Sequence, residues 1–104
     1  MEIKEGLEAE YQKYVEVNSD EYGGACVKAG ERVGMLLDEG KTPSEAEEGL
    51  KGDGLTGFMA GAAISGVVKF NPRGDEMKAW WNKENPGGEP DDMTGTNNPA
   101  IITI

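Results

Sequence analysis

Two stretches of this chain place small residues at every fourth position: Cys26, Gly30 and Gly34 in one, Gly57, Gly61 and Ser65 in the other. Each also carries apolar residues at a spacing of three and four. The first has Tyr22, Ala25, Cys26, Ala29, Val33, Leu36 and Leu37; the second has Phe58, Met59, Ala62, Ile64, Val67 and Val68. That period predicts helices. A glycine inside a helix costs about 1 kcal/mol against alanine, so a ridge of small residues makes sense where two helices approach closely across it. The spacing therefore predicts an all-α fold: a small bundle built on an antiparallel hairpin of these two helices, with further helices packed across them.

The remaining elements follow from local signals. Ile3, Leu7, Tyr11, Tyr14 and Val15 predict a first helix with Glu and Lys on its outer face. Asn18-Ser19-Asp20 interrupts it and supplies N-caps for the next, which Gly40 stops. Thr42-Pro43-Ser44-Glu45 has the form of a capping box with proline at the first helical position, and Gly49, Gly52 and Gly54 keep the helix it opens short. The long helix is predicted from about Thr56 to Lys69, and Asn71-Pro72 separates it from a last one, Arg73 to Lys83. These make a helical domain over residues 1–85. Residues 86–104, with Pro86-Gly87-Gly88 and Pro90 and ending Ile101-Ile102-Thr103-Ile104, are predicted to be an extended tail packing on this domain or on a neighbouring subunit.

Composition limits the chemistry. The chain of 104 residues has no histidine, one cysteine, and 20 acidic against 10 basic residues, a net charge of -10. Imidazole catalysis is excluded, as are an internal disulfide and a cysteine-rich zinc site. The acidic balance argues against direct nucleic-acid binding, which needs clustered Lys and Arg. Met1-Glu2-Ile3-Lys4-Glu5 has no uninterrupted apolar core of the signal-peptide kind. The stretch from Leu55 to Val68 is too short and glycine-rich to span a bilayer. No membrane association, metal or cofactor is expected.

Two motif-like segments fail on context. Gly34 to Thr42 has five residues between its glycines, whereas a phosphate-binding P-loop has four, and it ends a helix before meeting Pro43. Gly52-Asp53-Gly54-Leu55-Thr56-Gly57 matches G-x-G-x-x-G with no strand before it. As a glycine-rich helix start, with Gly54 and Thr56, it retains the capacity to hold an anion on backbone N–H groups. Glu45, Glu47 and Glu48, with Asp38 and Glu39 nearby, form an acidic face in which no spacing selects a catalytic pair.

The densest set of recognition-type side chains is Arg73, Lys78, Trp80 and Asn82, with Met77 and Trp81 between them. Cations, an indole and an amide are the groups that grip a phosphorylated aromatic ligand. Arg32 on the second helix adds a further cation.

Several blocks in order resemble a group of short, uncharacterised phage and prophage proteins: Asn18-Ser19-Asp20-Glu21-Tyr22-Gly23, Ala29-Gly30-Glu31-Arg32, Gly54 through Ala63, Gly74-Asp75-Glu76-Met77-Lys78 with Trp80 and Asn82, and Asn98-Pro99-Ala100-Ile101. In that group histidine tends to stand at the positions of Arg73 and Trp81, and an aromatic at that of Val33. The resemblance implies a viral accessory protein acting in the cytoplasm of an infected host cell, and it carries no catalytic residue across. Two functions are expected from these readings. One is non-enzymatic, anti-defence sequestration of a small anionic nucleotide-type signal by a homo-oligomer, through Arg32, Gly54, Thr56, Arg73, Lys78, Trp80 and Asn82. The alternative is an acidic protein inhibitor, or nucleic-acid mimic, that blocks a host nuclease or defence complex.

Overall fold

A computed structural model describes residues 1–51 and 57–84, all helix and connecting segments with no strand among them. The helices are α1 (Glu8–Val17), α2 (Glu21–Asp38), α3 (Pro43–Ala46), α4 (Gly57–Phe70) and α5 (Gly74–Glu84), with a 3-10 turn at Glu47–Leu50 after α3. The tail 86–104, and Gly54 and Thr56 of the glycine-rich segment, lie outside the described residues.

Helix boundaries follow the local chemistry of the sequence. Asp20 caps α2 by accepting from the Gly23 N–H at 2.8 Å. The same helix ends in a Schellman motif. Gly40 takes a φ of +92° and donates to Leu37 O at 2.9 Å, while Lys41 N–H reaches Leu36 O at 3.1 Å. Thr42 and Glu45 close a reciprocal capping box, Glu45 N–H to Thr42 Oγ1 at 3.2 Å and Thr42 N–H to Glu45 Oε1 at 2.9 Å. The first helix departs from expectation: Ile3 and Leu7 precede it. Gly6 has a φ of +90°, which turns the chain. Residues 1–7 form a strap that donates from Lys4 N–H to Phe70 O at 2.6 Å and from Glu2 N–H to Asp38 Oδ2 at 2.7 Å.

The central element is α4, buried at every position from Gly61 to Val68. A helix apolar on all sides needs neighbours on all sides. One core cluster joins Val33 and Leu37 of α2, Ala46 of α3, Ile64, Val67 and Val68 of α4, and Met77 and Trp81 of α5. A smaller cluster pairs Cys26 with Ala62 beneath Tyr14 and Met59. Buried among apolar atoms and near Asp20, the Cys26 thiol is pushed up to about 11. It is therefore expected to resist iodoacetamide at pH 8 in the native protein and to react once the chain is unfolded, a difference that intact-mass spectrometry measures.

Antiparallel hairpins do build the bundle, but the pairing differs from the expected one. Tyr11 meets Glu31, and Asn18 sits against Gly23, so α1 and α2 are antiparallel. Gly74 sits against Val68, and the short Asn71–Arg73 turn folds α5 back along α4. The two glycine-bearing helices, α2 and α4, run in the same direction. Cys26 packs with Ala62, Gly30 faces Ala63, and Asp38 meets Asn71 at their C-terminal ends. The reason is the crossover through α3 and the 3-10 turn, which returns the chain before α4 begins.

The α2 ridge is occupied from within the chain. A Cβ on Gly30 would stand 2.9 Å from Ala63 O, while one on Gly34 would meet the Met1 side chain, its Cβ at 2.7 Å. The seam thus requires no second subunit. Gly30→Ala is expected to destabilise by about 1–2 kcal/mol, because close packing against a backbone carbonyl outweighs the helix-propensity gain; urea unfolding measures it. Gly24→Ala, whose Cβ would come no nearer to Asn18 O than 3.8 Å, is the control and is expected to be neutral or slightly stabilising.

Candidate functional site

Of the residues chosen from the sequence, Lys78, Trp80 and Asn82 lie on α5 and Arg73 immediately before it, Arg32 lies on α2, and Gly54 and Thr56 lie outside the described residues. Arg73 has an internal task. Its Nη1 donates to Leu37 O and Lys41 O, each at 2.7 Å, and so caps the carbonyl end of α2, while Nε and Nη2 form a fork with Glu76. That fork holds the Glu76 carboxyl below its usual range, through the hydrogen bonds from Arg73. Its contribution to stability is present above the ordinary carboxylate pKa and is lost as the pH falls through the lowered one. Arg32 donates from Nε to Gly49 O at 3.0 Å, tying α2 to the 3-10 turn. The two guanidinium groups are thus held by different backbone carbonyls. Trp81 belongs to the core at 8% exposure, and Trp80 is half-buried against it. Lys78 is partly buried. Asn82 keeps a buried Oδ1 without a hydrogen-bond donor among the described residues.

A different site forms under α1. This helix buries no residue completely; two tyrosines stand between it and the bundle. The Tyr11 ring lies edge-on to Phe70, centroids 5.0 Å apart, and its hydroxyl donates to Glu31 Oε2 at 3.0 Å. Tyr14 packs on Phe70 at 5.2 Å, and its hydroxyl rests on Gly66, where a Cβ would come within 2.7 Å. Burial is the main reason that both phenols are raised well above their ordinary range; Glu31 adds to it in each case. Spacers of this size leave a groove of about 330 Å³ between α1 and the end of α4, lined by Glu10, Lys13, Tyr14, Val17, Asn18, Lys69 and Phe70. That volume lies at the lower end of the small-molecule range.

Charge and polarity in the groove are specific. Lys69 Nζ lies 2.9 Å from Glu10 Oε2 and 5.3 Å from the Phe70 ring centroid. With Lys13 as a second cation, the lining holds two lysines and one glutamate. Three other grooves, around Ser19–Lys28, Tyr22–Met59 and Leu36–Glu48, are larger, at about 430, 470 and 470 Å³, but have at most one lysine each. Asn18, the C-cap of α1, is 1% exposed. Its Nδ2 donates to Tyr14 O at 2.8 Å, which fixes the amide orientation, and its Oδ1 has no donor among the described residues.

Sequence reasoning missed this groove because its residues look ordinary singly. Tyr14 reads as part of a helix stripe, Asn18 as a helix breaker, Lys13 as an outer-face charge and Lys69 as the end of a helix, and Val17 gives no signal of its own. A cue was available: two tyrosines three residues apart on a helix facing a Gly- and Ala-rich one leave a gap. Among the described residues no set of three His, Cys, Asp or Glu side chains is placed to hold a metal, and no helix is long and apolar enough to cross a membrane. No protein-family model, curated protein or solved structure matches this chain.

Proposed function

We propose that this is a non-catalytic binding protein that sequesters a small anionic, nucleotide-type ligand, and that its site is the groove under α1. The observation that carries the reading is the pair of lysines, Lys13 and Lys69, on an apolar, aromatic-walled groove in a molecule of net charge -10. The global field opposes an anion at long range, but at physiological salt it is screened over about 8 Å. Close to the groove the local excess of cation decides. The exposed Glu10–Lys69 pair contributes at most about 1 kcal/mol, so a phosphate can take the Glu10 position. An anti-defence role in a phage-infected cell, suggested by the sequence resemblance, fits a protein that only binds.

The test is a thermal-shift panel of linear and cyclic purine nucleotides. A ligand at a hundredfold excess over its Kd is expected to raise the Tm by about 10 °C or more, and the Lys13→Glu/Lys69→Glu variant should lose the shift while keeping its own Tm within a few degrees. No shift with any nucleotide removes the reading.

One observation favours the second reading, an acidic inhibitor of a basic host protein. Asp38 and Glu39 stand at the C-terminal end of α2, which has no basic residue in its last turn. The helix dipole makes a carboxylate there unfavourable by about 0.3–1 kcal/mol; Asp38 is repaid by accepting from Asn71 Nδ2 and the Glu2 N–H, whereas exposed Glu39 has no such bond among the described residues. Under this reading Glu39→Lys/Glu47→Lys abolishes capture of a basic nuclease that high salt and duplex DNA also release, and nucleotides leave the Tm unchanged.

A further inference from the structure

Asn18 points to what the ligand must present. A buried amide oxygen without a donor is costly, and native proteins resolve such groups with a partner or a bound molecule. Rotating the amide offers no remedy, because Nδ2 is already committed to Tyr14 O. Asn18 stands in the groove wall beside Tyr14, Val17 and Phe70. Oδ1 has no accessible surface in this structure, so a ligand reaches it only if the C-terminal end of α1, at which Asn18 is the cap, shifts outward.

Resting on the reading of the groove as a nucleotide-type site, we infer that Asn18 is its specificity-determining residue: the ligand is a heteroaromatic base whose N–H edge donates to Asn18 Oδ1, with its anionic group at Lys13 and Lys69. The base ring lies along Tyr14, Val17 and Phe70, which offer it an apolar surface. A ring that presents only acceptors leaves Oδ1 unpaired and is rejected, in the way that sites built around a hydrogen bond reject analogues lacking it.

The discriminating pair of probes is AMP and purine riboside 5′-monophosphate, which differ by one exocyclic amine. Titration calorimetry on the full wild-type chain is expected to show AMP binding at least about fivefold more tightly. In the AMP complex the Asn18 side-chain amide resonances should shift. Asn18→Leu should reduce the AMP preference to near unity; because that variant also loses the Tyr14 carbonyl contact, the wild-type probe comparison decides. Equal affinity for the two probes overturns the role of Asn18 and leaves the nucleotide reading standing. Failure of both probes, and of the wider nucleotide panel, to bind overturns the reading and this inference with it.

Discussion

Gly74→Ala is expected to be the most damaging single methyl addition to this fold. A Cβ there would lie 2.8 Å from the Val68 carbonyl carbon and 2.9 Å from Val67 O, and nearer still to Val68 O. All three are backbone atoms of α4, and no side-chain rotation relieves them. The position is also pinned by Gly74 N–H donating to Asn71 O at 2.8 Å. Either α5 lifts from α4, pulling Met77 and Trp81 out of the core, or α4 distorts at its most buried stretch. Overpacking against backbone sets the expected loss at about 3 kcal/mol or more. For a domain of this size that is a large fraction of total stability and a fall in Tm of about 12 °C or more. Calorimetry checks it, and Gly24→Ala serves as the tolerant control.

The second large effect is expected at Asn71, which is fully buried and joins three parts of the chain. Its Nδ2 donates to Asp38 Oδ1 at 3.0 Å, at the end of α2, and to Glu2 O at 3.2 Å, in the N-terminal strap. Its Oδ1 accepts from Arg73 N–H at 2.8 Å, an Asx turn that opens the approach to α5. Asn71→Leu keeps the branched shape, at a larger volume, and removes all three bonds. A buried N–H and a carbonyl are left without partners, and a carboxylate loses a charge-assisted bond, so the expected loss is about 2–4 kcal/mol. Hydrogen exchange should locate the damage: protection falls first in the strap and the last turn of α2, with α4 less affected. Uniform loss across all helices would show that the Asn71 junction is not a separable unit.

Both residues illustrate what sequence could and could not show. The caps were legible because each is an exchange between residues three or four apart: Asp20 with Gly23, Thr42 with Glu45, Gly40 with the turn before it. The glycine ridge was legible as a close approach, and Gly30 against Ala63 is that approach. Helix direction was not legible, because a stripe of small residues is compatible with parallel and antiparallel packing, and the crossover through α3 decides. The strap was misread as helix because Ile3 and Leu7 keep helical spacing, while the turn at Gly6 depends on where Lys4 finds Phe70 O.

The site was the least legible feature. Arg73 has the composition of a ligand contact, but its planar fork also fits a helix end and a neighbouring carboxylate, and nothing local distinguishes these uses. The groove under α1 exists because Tyr11 and Tyr14 face a surface of small residues on α4, a match of shapes that only the packed structure contains. Its two lysines lie 56 positions apart in the chain (69 − 13), and no sequence window includes both.

The location of the site is tested most directly by a ¹⁵N–¹H chemical-shift titration of the full chain with AMP. Saturable shifts centred on Lys13, Tyr14, Asn18, Lys69 and Phe70, with Lys78 to Asn82 unmoved, are the predicted result. Shifts confined to α5 would contradict the assignment of the α1 groove as the binding site, and so would the absence of any shift with AMP and with every other nucleotide of the panel.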